Sequence, residues 1–327
     1  STLQETVERL YPSFSPEDIY ISTGARYEEI LRAQLPQLPK ENFIFEPEMR
    51  DVGPAIGLVA SLLAQKFPDE PMGILWSDHL VKNVERFREV LKMAEERVVQ
   101  GKGNFIFLAQ KPRFANQNIG WIELGDQVAN QDGILTYHFK RLRYRPALEE
   151  AQRFVTDDHF AWNLGYFVTT PRYLSSLFQE FEPQMSEGLD KIRKAWGTQD
   201  FPKTLEETYP TLEKISFDNA ILEKVNPDNM FVISTDLGWS DVGAWEALKE
   251  ALSQTEDENV TKGKVMVEDS RDSLVFNYTN QLLVGIDLEK MLVVSTEDVV
   301  LVCPKTSVPK IKKLVESLAG SPHEHLT

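Results

Sequence analysis

Cysteine is nearly absent: Cys303 is the only one in 327 residues. That excludes an intrachain disulfide framework and a site built from several zinc thiolates. Cys303 lies in the apolar run Val299 to Pro304, which reads as an inert buried thiol rather than a nucleophile. Basic residues are also scarce, with 35 Lys and Arg against 51 Asp and Glu and a formal charge of -16. Nucleic acid and anionic membrane faces are therefore not expected partners, because binding them needs concentrated positive surface. A small anionic ligand needs only local cations and backbone N–H groups. No uninterrupted apolar run is long enough to cross a bilayer and no secretory signal is read, so a cytoplasmic setting is expected. The patterns G-x-x-x-x-G-K-[ST], G-x-G-x-x-G and G-x-S-x-G do not occur. This sets aside P-loop ATPases, Rossmann dehydrogenases and nucleophile-elbow hydrolases.

The composition that remains, 42% hydrophobic and 26% charged, can bury a full core and suits more than one domain. From residue 2 to 99 the pattern alternates, with helices over 2–10, 27–34, 53–65 and 83–99 and strands over 18–22, 43–45 and 73–76. Thr2-x-x-Glu5 reads as a capping box for the first helix, and Asn83 as the cap of the fourth. Such alternation predicts an α/β fold with a doubly wound, mostly parallel sheet. Strand-like runs at 104–108, 119–124 and 134–142 suggest a β-rich insertion or sheet edge. A helix at 147–154, a strand at 162–168, three helical segments between 172 and 207 and a short helix at 217–224 lead to a buried strand at 230–233. The polar stretch 253–262 reads as a linker. It divides a core of residues 1–255 from a domain of residues 256–327. Five short apolar runs in the latter (265–267, 274–276, 282–286, 292–294, 299–302) fit the stacked strands of a β-helix or a small sandwich. A helix over 308–318 closes it, and the tail from 321, with His323 and His325, is expected to be disordered.

One stretch stands out: Gly238-Trp239-Ser240-Asp241-Val242-Gly243-Ala244-Trp245, between the strand at 230–233 and a helix read over 246–252. A carboxylate pushed out where a strand of an open α/β sheet ends lies where such sheets hold ligands. A tight turn with aromatic packing is the plain alternative. Asp78 follows a strand end too. Two aspartates converging at one sheet rim suit Mg2+, a hard cation that keeps waters and phosphates in its shell. Glu46-Pro47-Glu48-Met49-Arg50-Asp51-Val52-Gly53-Pro54 leads a strand into a helix N-terminus, which suits anions or base edges, or is only a proline-punctuated connection. In Trp162-Asn163-Leu164-Gly165-Tyr166-Phe167 an amide beside a glycine allows close approach and hydrogen bonds to sugar hydroxyls, or marks a bulge. Arg143 and Arg145 are candidate phosphate holders, and Asp157-Asp158-His159 reads as a solvated loop.

In order along the chain come Glu46-Pro47-x-x-Arg50 with Pro54-Ala55-Ile56, Asp78-His79, Trp162-Asn163-x-Gly165-x-Phe167, Phe217-Asp218 with Glu223-Lys224, and Gly238-Trp239-Ser240-Asp241-Val242-Gly243-x-Trp245. In this combination the chain resembles the mannose-1-phosphate guanylyltransferases (GDP-mannose pyrophosphorylases). The resemblance implies a nucleotide-diphospho-sugar transferase core, Rossmann-like, followed by a left-handed β-helix-like domain. It implies a nucleotidyltransferase that forms GDP-mannose and pyrophosphate from GTP and mannose 1-phosphate with Mg2+. By that resemblance Asp78 and Asp241 would hold the metal and act in catalysis with Arg145. Glu46, Pro47 and Arg50 would line the nucleotide, and Asn163, Gly165, Gly120 and Glu223 the sugar.

The sequence also departs from the family. The Gly-rich loop that grips the triphosphate is expected ahead of Ser1, so the chain reads as truncated and inactive by itself. Tyr144-Arg145-Pro146 stands for the family's Glu-Lys-Pro, Asp51-Val52 for Asn-Thr, and Trp76-Ser77 for Pro-Ala. Asn118-Ile119-Gly120-Trp121 replaces a Gly-Tyr-Gly-Tyr type of turn. Two alternatives stay open: a non-catalytic sugar-nucleotide-binding regulatory homologue, and a sibling pyrophosphorylase using another hexose 1-phosphate or nucleotide. The open strand edges of a β-helix-like domain admit a homodimer.

Overall fold

The structure is a computed structural model that describes residues 1–241, 249, 252, 253, 255 and 257–326, without the side chains of residues 309 and 312. The chain forms two compact units, one of Ser1–Ser77 with Lys82–Leu237, the other of Asp78–Val81 with Gly238–Thr327. The division thus falls at residue 237 rather than near 255, and the short segment 78–81 joins the smaller unit. The reason is a strand pairing between that segment and residues 239–241.

The larger unit begins with α1 (Thr2–Glu8), capped by Ser1 with Gln4 rather than by Thr2 with Glu5. Strand β1 (Ile21–Gly24), helix α2 (Glu28–Gln34) and strand β2 (Phe43–Glu46) follow. The first strand starts three residues later than expected, because Pro16–Asp18 forms a 3-10 turn. Strands β1 and β2 pair with each other in parallel, outside the main sheet. Helix α3 (Val52–Lys66) is apolar nearly all round and buried along most of its length. After β3 (Met72–Ile74) and β4 (His79–Val81) comes α4 (Val84–Val99), whose buried Phe87, Val90, Leu91 and Ala94 keep helical spacing. Its Arg86 N–H donates to the Asn83 side chain at 3.2 Å, so the expected cap is in place.

Strand β5 (Phe105–Gln110) is buried at all six positions, as a continuous apolar run requires at the middle of a covered sheet. Strands β6 (Gly120–Gln131) and β7 (Ile134–Tyr144) form a hairpin. Its two-residue turn has Asp132 at φ 50° and Gly133 at φ 81°, the geometry that matches strand twist. Then come α5 (Leu148–Val155), β8 (Phe160–Thr169), α6 (Pro171–Phe181), α7 (Pro183–Ala195), α8 (Phe201–Thr208), a π-helical turn at Asp218–Leu222, and β9 (Met230–Ser234).

The main sheet has the order β3-β8-β5-β9-β7-β6. An α/β core is present, but the mostly parallel sheet expected from the alternation is not. Among the described residues only β5 and β9 run parallel in it. A hairpin sets β7 against β6, and β8 returns between β3 and β5, so the other neighbours are antiparallel. Phe105, Phe107 and Phe167 meet at the centre with ring centroids 4.5–4.6 Å apart, Phe139 stacks on Phe107 and Phe217 on Phe167. Burying a phenylalanine side chain in such a core is worth about 1.5–3 kcal/mol.

In the smaller unit β10 (Trp239–Asp241) pairs antiparallel with β4. Residues 242–248, with Val242, Gly243, Ala244 and Trp245, and most of the helix expected over 246–252 lie outside the described residues. Strands β11 (Val260–Lys262), β13 (Leu274–Asn277), β15 (Met291–Ser295) and β16 (Val300–Pro304) form one sheet, and β12 (Val265–Glu268) with β14 (Leu283–Ile286) another. Leu292 pairs with Leu274 and Leu283 with Val265, each 18 residues on (292 − 274 and 283 − 265), which is the repeat of a coil of stacked parallel strands. The stretch expected as a linker contains β11, because Val260 buries itself with Leu274, Phe276, Leu292 and Val294. Helix α9 (Pro309–Glu316) follows, and Glu324–Leu326 in the tail forms a 3-10 turn. Among the described residues no helix is long and apolar enough to cross a membrane.

Asp272, at a coil corner with φ 48°, receives the Lys249 ammonium at 2.7 Å and also that of Lys305. Burial alone would raise its carboxyl; the two lysines outweigh that and hold it below the usual carboxylate range. A depressed folded value stabilises above the pKa of an unfolded aspartate, and the stabilisation fades as pH falls through the folded one. The D272A variant is expected to lose roughly 2–4 kcal/mol at neutral pH, because it removes the carboxylate shared by the buried Lys249 and by Lys305. Its thermal midpoint should flatten between pH 5 and 3, where the wild type's falls.

Candidate functional site

The larger unit gathers most of the expected sugar-side residues around one irregularity in β8. Phe107 pairs with Phe167 and Ala109 with Asn163, so β8 carries two extra residues over that span. The bulge weighed from sequence is therefore real, and it is also what shapes the surface. Gly165 sits inside it at φ 73°, and its N–H donates to the Asn163 Oδ1 at 3.1 Å. A Cβ on Gly165 would lie 2.2 Å from the Trp76 Nε1. Gly120, opposite Tyr144 in the β6–β7 ladder, would place a Cβ 3.3 Å from the Asn163 Nδ2. Gly165 thus lets the Trp76 indole lie against the backbone, and Gly120 leaves the Asn163 side chain uncrowded. Among the described residues neither the Asn163 Nδ2 nor the Trp76 Nε1 has a protein acceptor, which leaves two neutral N–H donors beside Gly165.

Charge lies next to this floor. Arg145 follows Tyr144 at φ 46°, its backbone N–H donating to the Ile119 carbonyl and its Nε to the Asn118 carbonyl, each at 3.3 Å. The guanidinium stands 5.0 Å from the Tyr144 ring. Glu223 accepts the Tyr144 N–H at 3.4 Å and the Asn219 amide at 3.0 Å, so it joins the same corner. Asp218 opens the π-helical turn there. Burial pushes its carboxyl up to about 6, Glu223 and Asp51 add repulsion, and Arg145 opposes them. Asp51 caps α3, with Val52 N–H on its Oδ1 at 2.7 Å.

Glu46 and Arg50, expected on the nucleotide side, are engaged by the protein itself. Glu46 accepts the Tyr209 hydroxyl at 2.5 Å, and Arg50 donates to the Pro210 carbonyl and pairs with Glu48 at 3.3 Å. Burial raises the Glu46 carboxyl, against the Tyr209 bond. Pro47 lies half-buried between them. These side chains fasten the β2–α3 connection to the segment after α8, where the Gly53 N–H also meets the Ile215 carbonyl at 2.9 Å.

The two aspartates belong to the smaller unit. Sequence suggested that Asp241 ends the strand at 230–233, on the rim of the central sheet. Instead Gly238, at φ 57°, turns the chain, and Asp241 ends the separate strand β10. The ladder places Asp241 directly across from His79, one residue from Asp78. Trp239 is buried and donates its indole N–H to the His79 Nδ1 at 3.2 Å, with the rings edge to face 5.0 Å apart. An accepting Nδ1 puts the imidazole proton on Nε2, the atom 3.9 Å from the exposed Asp78 carboxylate. Among the described residues no group of three or more His, Cys, Asp or Glu gathers as a metal cage. In donor chemistry two carboxylates suit Mg2+, a hard cation that keeps waters and phosphates in its shell.

Trp76 and Asp218 lie in stretches that the sequence reading quoted, as a departure and as a matching motif, but neither was given a role; the burial of Asp218 left no signal in the sequence.

The sequence pattern of the nucleotidyl transferase family matches residues 1–258. The mannose-1-phosphate guanylyltransferase ManC of Salmonella typhimurium is 30% identical over 99% of this chain and 67% of its own length. That of Escherichia coli K12 is 29% identical over 99% and 68%. The chain thus spans about two thirds of these relatives. The crystal structure of mannose-1-phosphate geranyltransferase from Thermus thermophilus superposes with a TM-score of 0.83 at 27% identity, covering 97% of this chain and 89% of that one. Mannose-6-phosphate isomerase from Helicobacter pylori shares the fold, with a TM-score of 0.59 at 18% identity over 74% and 90%.

Two variants probe this surface. In G165A the new methyl meets a rigid indole and the residue keeps a positive φ, so a loss of about 1–2 kcal/mol from the backbone alone is expected in denaturant titration. D218N addresses the buried acid. A folded value of about 6 against 3.8 means the folded protein binds the proton more tightly, so stability is full below pH 4 and declines as pH rises to 6. The decline is about 2–3 kcal/mol, and D218N should lack it and exceed the wild type in stability at pH 8.

Proposed function

The chain belongs to the nucleotidyl transferase family, and from that premise we propose that it forms GDP-mannose and pyrophosphate from GTP and mannose 1-phosphate. The observation that carries the proposal is the β4–β10 ladder, which sets Asp241 across from His79 and beside Asp78 at two strand ends. In this reading an oxygen of the sugar phosphate attacks the α-phosphorus of GTP, in line with the departing pyrophosphate. Asp78 and Asp241 would hold Mg2+, which when bound neutralises charge on the phosphate oxygens. Such a transfer depends on positioning and charge neutralisation more than on acid–base chemistry. Arg145 supplies a fixed cation for the sugar phosphate, its head held by the Asn118 carbonyl. The Asn163 amide and Glu223 address hydroxyls, and Gly120 and Gly165 let the ring approach. Glu46, Pro47 and Arg50 support the nucleotide side by fixing the connection into α3. A cytoplasmic setting and a homodimer go with this reading.

Tyr144, where the family has an acid, favours a second reading: the same transfer with another hexose 1-phosphate or nucleotide.

Pyrophosphate release from GTP with mannose 1-phosphate tests the proposal. It is measured with Mg2+ present, and turnover is expected. Replacing either aspartate (D78N, D241N) should lower kcat by about a hundredfold or more without shifting the thermal midpoint. Chelation by EDTA should do the same. Absence of turnover with every hexose 1-phosphate and nucleotide tried would count against the family's reaction here; turnover with a different pair selects the second reading.

A further inference from the structure

Trp76 has no part in the chemistry above. It follows β3 at a position where the resembling family carries a proline. Its ring is half-buried and packs against the core of the larger unit. The backbone around it is pinned on both sides. The Trp76 carbonyl accepts Arg9 at 3.5 Å, and the Ser77 carbonyl accepts the Thr6 hydroxyl at 3.3 Å. The indole edge faces Gly165: the position of a Cβ there would be 2.2 Å from Nε1 and 2.9 Å from Cδ1. On the same glycine, the Asn163 Oδ1 is occupied by the Gly165 N–H.

We propose that Trp76 is a specificity-determining residue for the sugar. Its Nε1–H donates to one hydroxyl of a hexose 1-phosphate lying along the indole edge, while the Asn163 Nδ2 donates to another. The inference rests on the sugar-phosphate reading given above. The chemistry of the donors selects the hydroxyls rather than the phosphate. An indole N–H and a carboxamide are neutral and donate single bonds, whereas a phosphate dianion is better met by the guanidinium of Arg145. Gly165 lacks the side chain that would push the indole away, so Nε1 stays against the bulge that also carries Asn163. A site built to hydrogen-bond a given hydroxyl discriminates against the sugar lacking it, because its donor is then left unpaired.

The competing explanation is that Trp76 merely wedges the bulge of β8. Isothermal titration of wild type and W76F with mannose 1-phosphate and its mono-deoxy analogues separates the two. Phenylalanine keeps a ring and loses the donor. W76F should bind mannose 1-phosphate about 5–10-fold more weakly, the size of one hydrogen bond between neutral partners. One deoxy analogue, the one lacking the contacted hydroxyl, should bind wild type and W76F equally. That analogue should also bind wild type about 5–10-fold more weakly than the parent, a comparison that needs no variant. A uniform loss over all analogues, or none, overturns the role of Trp76 while wild-type binding upholds the sugar-phosphate reading. If wild type binds no hexose 1-phosphate at all, both fall.

Discussion

The indole N–H of Trp239 donates to the His79 Nδ1, and on this bond depends the register of β4 against β10. The two partners are 160 residues apart, so the contact closes a long loop. The entropy of such a closure grows slowly with length, and a buried aromatic pair with a directed hydrogen bond offsets it. What the bond secures is parity. A slip of one residue would send Asp241 to the opposite face of the ribbon, because strand side chains alternate. It also fixes the tautomer, so that the protonated nitrogen of His79 turns toward Asp78. Carboxylates offered by a three-residue strand are positioned well only if that strand cannot slide, and here a buried ring prevents it.

In the larger unit the equivalent constraint is a shortage of side chains. Gly120 and Gly165 leave bare backbone on either side of Asn163, and the bulge keeps Gly165 in a conformation that other residues adopt at a cost. The strain is held by neighbours with little freedom to move: β5 is buried along its whole length and Trp76 is tethered by the carbonyls at 76 and 77. Rigid surroundings let two short N–H donors keep fixed directions without a ligand.

Much of this was legible in the sequence. Continuous apolar runs located β5 and β9, helical spacing located α3 and α4, and the five runs after residue 264 located the coil strands. The 18-residue repeat lay in the spacing of those runs. What failed did so for physical reasons. Alternating helix and strand predicted parallel neighbours, yet Asp132-Gly133, a dipeptide suited to a tight hairpin, already announced the antiparallel edge. Val260 hid β11 because one apolar residue in a polar stretch gives no period. Motif order located Asp78, Asp241, Asn163, Gly165, Arg145 and Glu223, and the register and contacts then grouped them into a ribbon and a floor. It could not tell that Glu46 and Arg50 are engaged with Tyr209 and Pro210, since those partners lie more than 150 residues away. Nor could it foresee the raised carboxyl of Asp218, a residue of the quoted Phe217-Asp218 motif, because that comes from burial.

Electrostatics ties the proposed chemistry to these details. The chain carries a charge of -16, and both proposed substrates are anions. Asp218 feels the charges of Glu223, Asp51 and Arg145, so this corner holds three carboxyl groups to one guanidinium. Two like charges several ångströms apart at a protein surface repel by about 2 kcal/mol at an effective dielectric near 20. A fully ionised corner would then oppose the phosphate that Arg145 attracts. Burial of Asp218 moderates this, because part of its population holds a proton near pH 6 and the negative charge beside Arg145 falls accordingly. The rest of the neutralisation has to arrive with the substrates. An acidic protein can therefore handle phosphates if its own cations are few, fixed and partly relieved of their neighbours.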